Sequence, residues 1–468
     1  MRIKAFTTAY LIVLFTACTM QAQISLPSVF TNHMVLQQNS EVAVWGWGTA
    51  SSTIRIVGSW APKDTIKTTV KDDGSWKTTI KTISAGGPYT LSFFGNGKIL
   101  LEDVMLGEVW LCSGQSNMEW TPLQINESKE EITAANHPNI RFFHVTKRGA
   151  AYPQNNCEGL WKICTPDVMK NISAVAYFFG RDLQKTLNVP IGLIVSAWGG
   201  TPAEVWTPEK DIMANEKTAS NLPKTSYPWW PVKSGVLYNQ MIHPITPYSI
   251  AGCIWYQGES NQDRSSTYGP LLKTMIESWR KSFHKEFPFY IVQIAPHSYH
   301  ANDNGPALIR EAQEWVASTT PETGLVVISD LVNDIKNIHP TDKQNVGLRL
   351  ANMAIRKTYK RMGKEVQSPL LKFFKIQKDK IIISFDHADD GLICRGKNAV
   401  GLQIAGEDKQ FVDAIGKIKG NTLVVTSPNV KKPIAVRYCF DEATIGNLFN
   451  TEGLPVAPFR TDRDWNEK

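Results

Sequence analysis

The sequence has no CxxC pair, no HExxH and no clustering of Cys and His at ligand spacing. Neither a structural nor a catalytic metal is therefore indicated, and no cofactor is expected. Long apolar runs are also missing. The stretch Ala9–Phe15 is too short to cross a bilayer as a permanent helix, and no other stretch is long enough to do so. Concentrated charge is absent as well: the formal net charge is +7, or +5 once Arg2 and Lys4 are set aside. Lys and Arg are dispersed and form no cluster interleaved with stacking aromatics, which excludes nucleic acid as a partner. Cysteine is sparse, seven in 468 residues. Cys112 and Cys253 sit in apolar strand-like runs, as small buried hydrophobes do. Cys157 and Cys164, either side of Gly159-Leu160-Trp161, are candidates for a pair in an oxidising compartment.

With 42% hydrophobic and 20% charged residues the chain reads as folded, and its length points to two or three domains. Residues 1–22 combine a basic start, the short apolar run and small or polar residues before Gln23, the pattern of a secretory signal cleaved after Ala22. The expectation is an exported protein, periplasmic or extracellular. Phe15-Thr16-Ala17-Cys18 also reads as a weak lipobox, which would leave a lipid anchor at Cys18.

The rest is organised around Leu106–Trp120, LGEVWLCSGQSNMEW. An apolar strand-like half runs into the turn-prone cluster Ser113-Gly114-Gln115-Ser116-Asn117. A serine at such a junction is held at the rim of a sheet, where backbone N–H groups can face a developing oxyanion, so Ser116 is the candidate nucleophile. The alternative is that Ser113 and Ser116 only cap a following helix. Before this stretch, residues 23–103 show short alternating runs punctuated by Gly and Pro, as in a small antiparallel sandwich packed with Trp45, Trp47, Trp60 and Trp76. From 104 to 358, apolar strands alternate with helical segments, including one with Leu271, Leu272, Met275, Ile276, Trp279 and Phe283. That alternation specifies an α/β domain with a mostly parallel sheet covered on both faces, its ligands at the carboxyl ends of the strands. Thr341-Asp342-Lys343-Gln344 reads as a capping box opening a further helix. Residues 359–468 turn β-rich again, as a second sandwich or as a sheet completing the first.

Four motifs then fall in one order: GQSNM (114–118), AWGGTPAEVW (197–206), WYQGESN (255–261) and Ile338-His339-Pro340. Together with LYNQMI (237–242) and NLFNTEGLPVAPFRTD (447–462), the chain resembles the sialate O-acetylesterase branch of the SGNH (GDSL-like) hydrolases over most of its length. The resemblance implies an SGNH-type sheet with accessory β-domains on its N- and C-terminal sides. It also implies a serine esterase that removes O-acetyl groups from a carbohydrate, sialic acid favoured, by way of an acetyl-enzyme. His339 matches the family's His-Pro and is the expected base; His243 and His297 are read as structural. Many relatives place an Asp three residues before the histidine, where this chain has Lys336, so the orienting acid is either Asp334 or absent, with a backbone carbonyl holding the ring. The expected oxyanion donors are the N–H of Ser116, an N–H of Gly199 or Gly200, and a side-chain amide, Gln257 first and Asn261 second. Gln115, Asn117 and Glu259 are expected at the substrate or shaping the turn, and Trp229 and Trp230, in a Pro-rich insertion, are candidates to stack on a sugar ring. The same motifs permit an acetylxylan or pectin acetylesterase, and Lys336 leaves room for a glycan-binding protein with a dead serine site.

Overall fold

Gly97–Gly114 (β1) is the strand on which the fold is built in this computed structural model, which describes residues 23–125, 128–299 and 304–466. The signal segment and Cys18 lie outside the described residues. The outer half of β1 pairs antiparallel with Gly86–Gly95, and its inner half joins a parallel sheet. The boundary expected after residue 103 thus falls inside one strand. Asp103 sits there at φ 53°, its carboxylate taken by Arg141 and His33, so a charged kink inside a strand reads in sequence as a change of domain.

The parallel sheet adds His137–His144 (β2), Trp161–Cys164 (β3), Ile191–Ala197 (β4), Gly252–Tyr256 (β5), Phe289–Val292 (β6) and Thr323–Val326 (β7), in the order β7-β6-β5-β1-β4-β2-β3. Only the β2–β3 pairing in this series is antiparallel. Every residue of β4, β5, β6 and β7 is buried, which is why these strands read as continuous apolar runs. The crossover helices Ala174–Leu187 (α2), Ser265–Phe283 (α3) and Gly305–Thr319 (α4), with Lys343–Met353 (α5) after β7, supply the expected alternation of strand and helix. At α5 the cap is Asp342, whose side chain accepts the N–H of Asn345, rather than Thr341.

The chain leaves β1 for one side of the sheet (β2 to β4) and then crosses to the other (β5 to β7). This puts a topological switch at β1, where ligands of open α/β sheets bind. Gly114 is in register with Ala197 of β4 and with Tyr256 of β5, so the three motif loops leave three adjacent strands at one level. Only glycine suits this position: φ is 141°, and a Cβ would stand 2.1 Å from the carbonyl oxygen of Tyr256.

On the N-terminal side, Glu41–Trp47 pairs with Ser75–Lys81, and Trp45 and Trp76 are buried while Trp47 and Trp60 are partly so. The C-terminal residues form two four-stranded antiparallel sheets, one containing Leu370–Gln377 and Lys380–Asp386, the other Leu402–Ala405 and Ala435–Tyr438. Ile381, Ile383, Ile404 and Val436 close a separate core between them, the second sandwich rather than an extension of the first. Cys157 and Cys164 are free thiols, not a pair: they belong to different apolar clusters, and burial pushes both up to about 12.

Candidate active site

Ser116 opens the one-turn helix Ser116–Glu119 (α1) directly after β1. The N-cap is Gln115, without a side-chain cap, and the Ser113 hydroxyl donates to the carbonyl of Ser196 on β4. The reading of both serines as helix caps is therefore overturned. The leading N–H groups of a helix have no intrahelical acceptor, which leaves the Ser116 N–H as a donor beside its own hydroxyl.

His339 arrives on the loop between β7 and α5, and its Nε2 lies 2.9 Å from Ser116 Oγ. With the ring proton on Nδ1, Nε2 accepts the serine hydroxyl. The ring stacks on Trp120, centroids 4.3 Å apart and planes at 25°. Burial first, then the Lys343 ammonium and His297, pull the imidazole down to about 4.

Asp334 does not orient this histidine. It is exposed, and its carboxylate accepts the N–H of Lys336, two residues on, as an Asx turn does. Asp330 is held by Arg349 in a two-pronged pair at 2.7 Å. Among the described residues no carboxylate is bonded to His339 Nδ1. His243 Nδ1 is bound to the carbonyl of Gln154.

The expected amide donors are also redirected. Gln257 is fully buried, and its Nε2 donates to Asn261 Oδ1 (2.8 Å) while its Oε1 accepts the Tyr268 hydroxyl. Asn261 Oδ1 also accepts the N–H of Ala203, and its Nδ2 donates to Glu204 Oε2. Neither presents a donor to Ser116, because a buried amide must be satisfied and here the loop interior satisfies it. Gln115, Asn117 and Glu259 are likewise buried, and their hydrogen bonds run within the scaffold, while Glu259 also lines the cleft beside Gly200. Gln115 Oε1 accepts the N–H groups of Gly258 and Ser260. Asn117 Nδ2 donates to Glu259 Oε1 (2.6 Å) and to the carbonyl of Ile338, while its Oδ1 accepts from Lys343 Nζ. One amide thus ties the nucleophile turn, the third motif and the histidine loop. Burial lowers Lys343 to about 7 and raises Glu259.

Gly199 abuts Ser116: a Cβ on it would stand 3.2 Å from Ser116 Cβ. Its N–H donates to Glu119 Oε2 at 2.5 Å, and Glu119 is paired with Lys147. Gly200, at φ 76°, lies against the Trp230 ring. Beside it a cleft of about 470 Å³ is lined by Leu222, Lys224, Tyr227, Trp230, Ser260 and Asp263. Tyr227 and Trp230 rings are 4.8 Å apart, whereas Trp229 is 63% exposed and meets only the edge of Trp230, outside the cleft. Glu119, Trp120, Lys147 and Lys343 were not anticipated as site residues. The first two stand three and four positions after Ser116, the spacing that shares a helix face.

The family of carbohydrate esterases described as sialic acid-specific acetylesterases matches residues 106–356. The sialate O-acetylesterase of Homo sapiens is 35% identical over 361 residues, 69% of this chain and 69% of its own. That of Rattus norvegicus is 33% identical over 408 residues, covering 74% and 75%. The crystal structure of a carbohydrate acetylesterase from Xanthomonas citri superposes with a TM-score of 0.86 at 35% identity, over 94% of this chain and all of that one.

Proposed function

The chain belongs to the sialic acid-specific acetylesterase family of carbohydrate esterases, and from that membership we propose that it removes O-acetyl groups from sialic acids with Ser116 as nucleophile and His339 as base. The observation that carries the reading is the 2.9 Å contact between Ser116 Oγ and His339 Nε2, within reach for direct proton transfer. His339 takes the hydroxyl proton as Ser116 Oγ attacks the acetyl carbonyl, and the tetrahedral oxyanion forms against the Ser116 N–H. The imidazolium returns the proton to the departing sugar oxygen, leaving acetyl-Ser116. Water then gives its proton to His339, attacks the acetyl group and releases acetate as Ser116 is reprotonated. Trp230 and Tyr227 form an aromatic wall for the sugar beside Gly200. Export belongs to the same proposal, and mass spectrometry of the mature N-terminus distinguishes cleavage after Ala22 from lipidation at Cys18.

The test is acetate release from O-acetylated sialosides, acetylxylan and acetylated pectin by wild type and Ser116→Ala. Release from the sialosides that disappears in Ser116→Ala is the expected result. Release confined to xylan or pectin overturns the substrate. Wild-type turnover of p-nitrophenyl acetate no faster than that of Ser116→Ala overturns the enzyme and leaves a glycan binder.

A further inference from the structure

We propose that Trp120 is the positioning residue for His339, its indole face standing in for the orienting acid. The inference rests on the Ser116–His339 reading above. Trp120 is the C-cap of the one-turn helix that Ser116 opens, so the side chain that meets the imidazole face and the hydroxyl that meets its edge come from the two ends of one short element. The turn is fixed at both ends of Trp120: its N–H donates to the Ser116 carbonyl (2.8 Å), and its carbonyl accepts the N–H of Ala174 at the start of α2 (2.8 Å). The near-parallel stack at 4.3 Å holds the plane of the imidazole, while the bond to Ser116 Oγ sets its rotation within that plane.

An orienting acid has a second task, to favour the imidazolium that forms as the serine loses its proton. Here the neighbouring charge has the wrong sign for it, because Lys343 Nζ lies 5.7 Å from the Trp120 centroid and acts against a charged His339. An indole face attracts a cation stacked on it through its quadrupole, and Trp does so better than Tyr or Phe. The Trp120 ring therefore supplies both orientation and stabilisation of the charged form at a histidine to which, among the described residues, no carboxylate is bonded.

Trp120 is only partly buried, so a rival role as a sugar platform is open to it and the test separates the two. The variants Trp120→Leu, Trp120→Tyr and Trp120→Phe are assayed on p-nitrophenyl acetate, which has no sugar to stack, and on an O-acetylated sialoside. The expected result is a kcat for Trp120→Leu lower by about tenfold or more on both substrates, at little-changed KM, with kcat restored in part by the ring-bearing variants, more by Tyr than by Phe. A loss confined to KM for the sialoside, or an unaltered kcat on p-nitrophenyl acetate, overturns it. If Trp120→Leu does not fold by circular dichroism, the ring series decides: kcat falling from Trp to Tyr to Phe is expected, and a flat series overturns the proposal. Ser116→Ala run alongside keeps the two readings apart, since wild-type-like turnover in that variant removes the site itself, whereas an inactive Ser116→Ala with an unimpaired Trp120→Leu removes only the stack.

Discussion

The carboxylate of Glu119 accepts the backbone N–H of Gly199 at 2.5 Å, which puts a negative charge on the N–H of a residue that abuts the Ser116 side chain. Lys147 holds the other oxygen of that carboxylate. The second motif loop is thereby locked to the Ser116 helix, and in the proposed reaction an oxyanion forming at Ser116 meets a like charge where a donor is required.

From this arrangement Glu119→Gln is expected to raise kcat. The amide oxygen still accepts the Gly199 N–H and keeps the loop in place, but the repulsion toward the oxyanion is gone. A neutral amide also holds that N–H less tightly than a carboxylate does, and a single oxyanion donor is worth about 2.7–4 kcal/mol when fully available, so its easier release to the oxyanion gives a severalfold gain. Steady-state kinetics on p-nitrophenyl acetate reads it, and a lower kcat in Glu119→Gln would assign the carboxylate a direct part in the chemistry.

Asp334→Asn is expected to keep nearly full activity. Removing the acid of a working triad costs about four orders of magnitude, but the carboxylate of Asp334 serves only the N–H of Lys336 in an exposed turn. Asparagine makes the same Asx turn through its side-chain oxygen. A drop of more than about a hundredfold in kcat would restore Asp334 to the mechanism.

The contrast between His339 and Gln257 shows what was legible beforehand. Ser116 is set by local grammar, a buried strand running into a glycine turn, whereas His339 is singled out by the resemblance of its His-Pro to the family's, with a helix cap at Asp342 three residues later. Such features are written in a few adjacent residues. The direction of the Gln257 amide is not, because it depends on Asn261, Thr201 and Tyr268 packing around it, and the last of these belongs to a different element. Asp334 was a candidate by sequence distance alone, and the turn it caps points it to solvent. The strands His137–His144 and Trp161–Cys164 escaped notice for a related reason: the first begins with half-buried His137 and exposed Pro138 and Asn139, and the second is four residues long, so both draw their identity from pairing toward the sheet edge. Trp120 lay within the stretch singled out at the start, yet its partner is a histidine on a loop more than two hundred residues later.

The pH dependence follows from what surrounds His339. Its ordinary value of 6.5 is pulled down to about 4 by burial first, then by the Lys343 ammonium and by His297, so the ring remains neutral and able to accept the serine proton well into the acid range. The acid limb of kcat/KM is therefore expected near pH 4 rather than near 6.5. Lys343 is itself countered by Glu259 and Asp342, and with its own value near 7 it is charged throughout the range in which His339 titrates. Lys343→Met removes a like charge from the imidazolium, so the acid limb moves up in pH. An unmoved limb in a folded Lys343→Met would mean that burial alone sets the histidine. Stability carries the same sign: between pH 6.5 and about 4 the unfolded chain binds a proton that folded His339 refuses. This group's contribution therefore falls as pH is lowered across that window. Acid melts of wild type and Lys343→Met, recorded alongside the rate profiles, check this, with the smaller loss across the window expected in the variant.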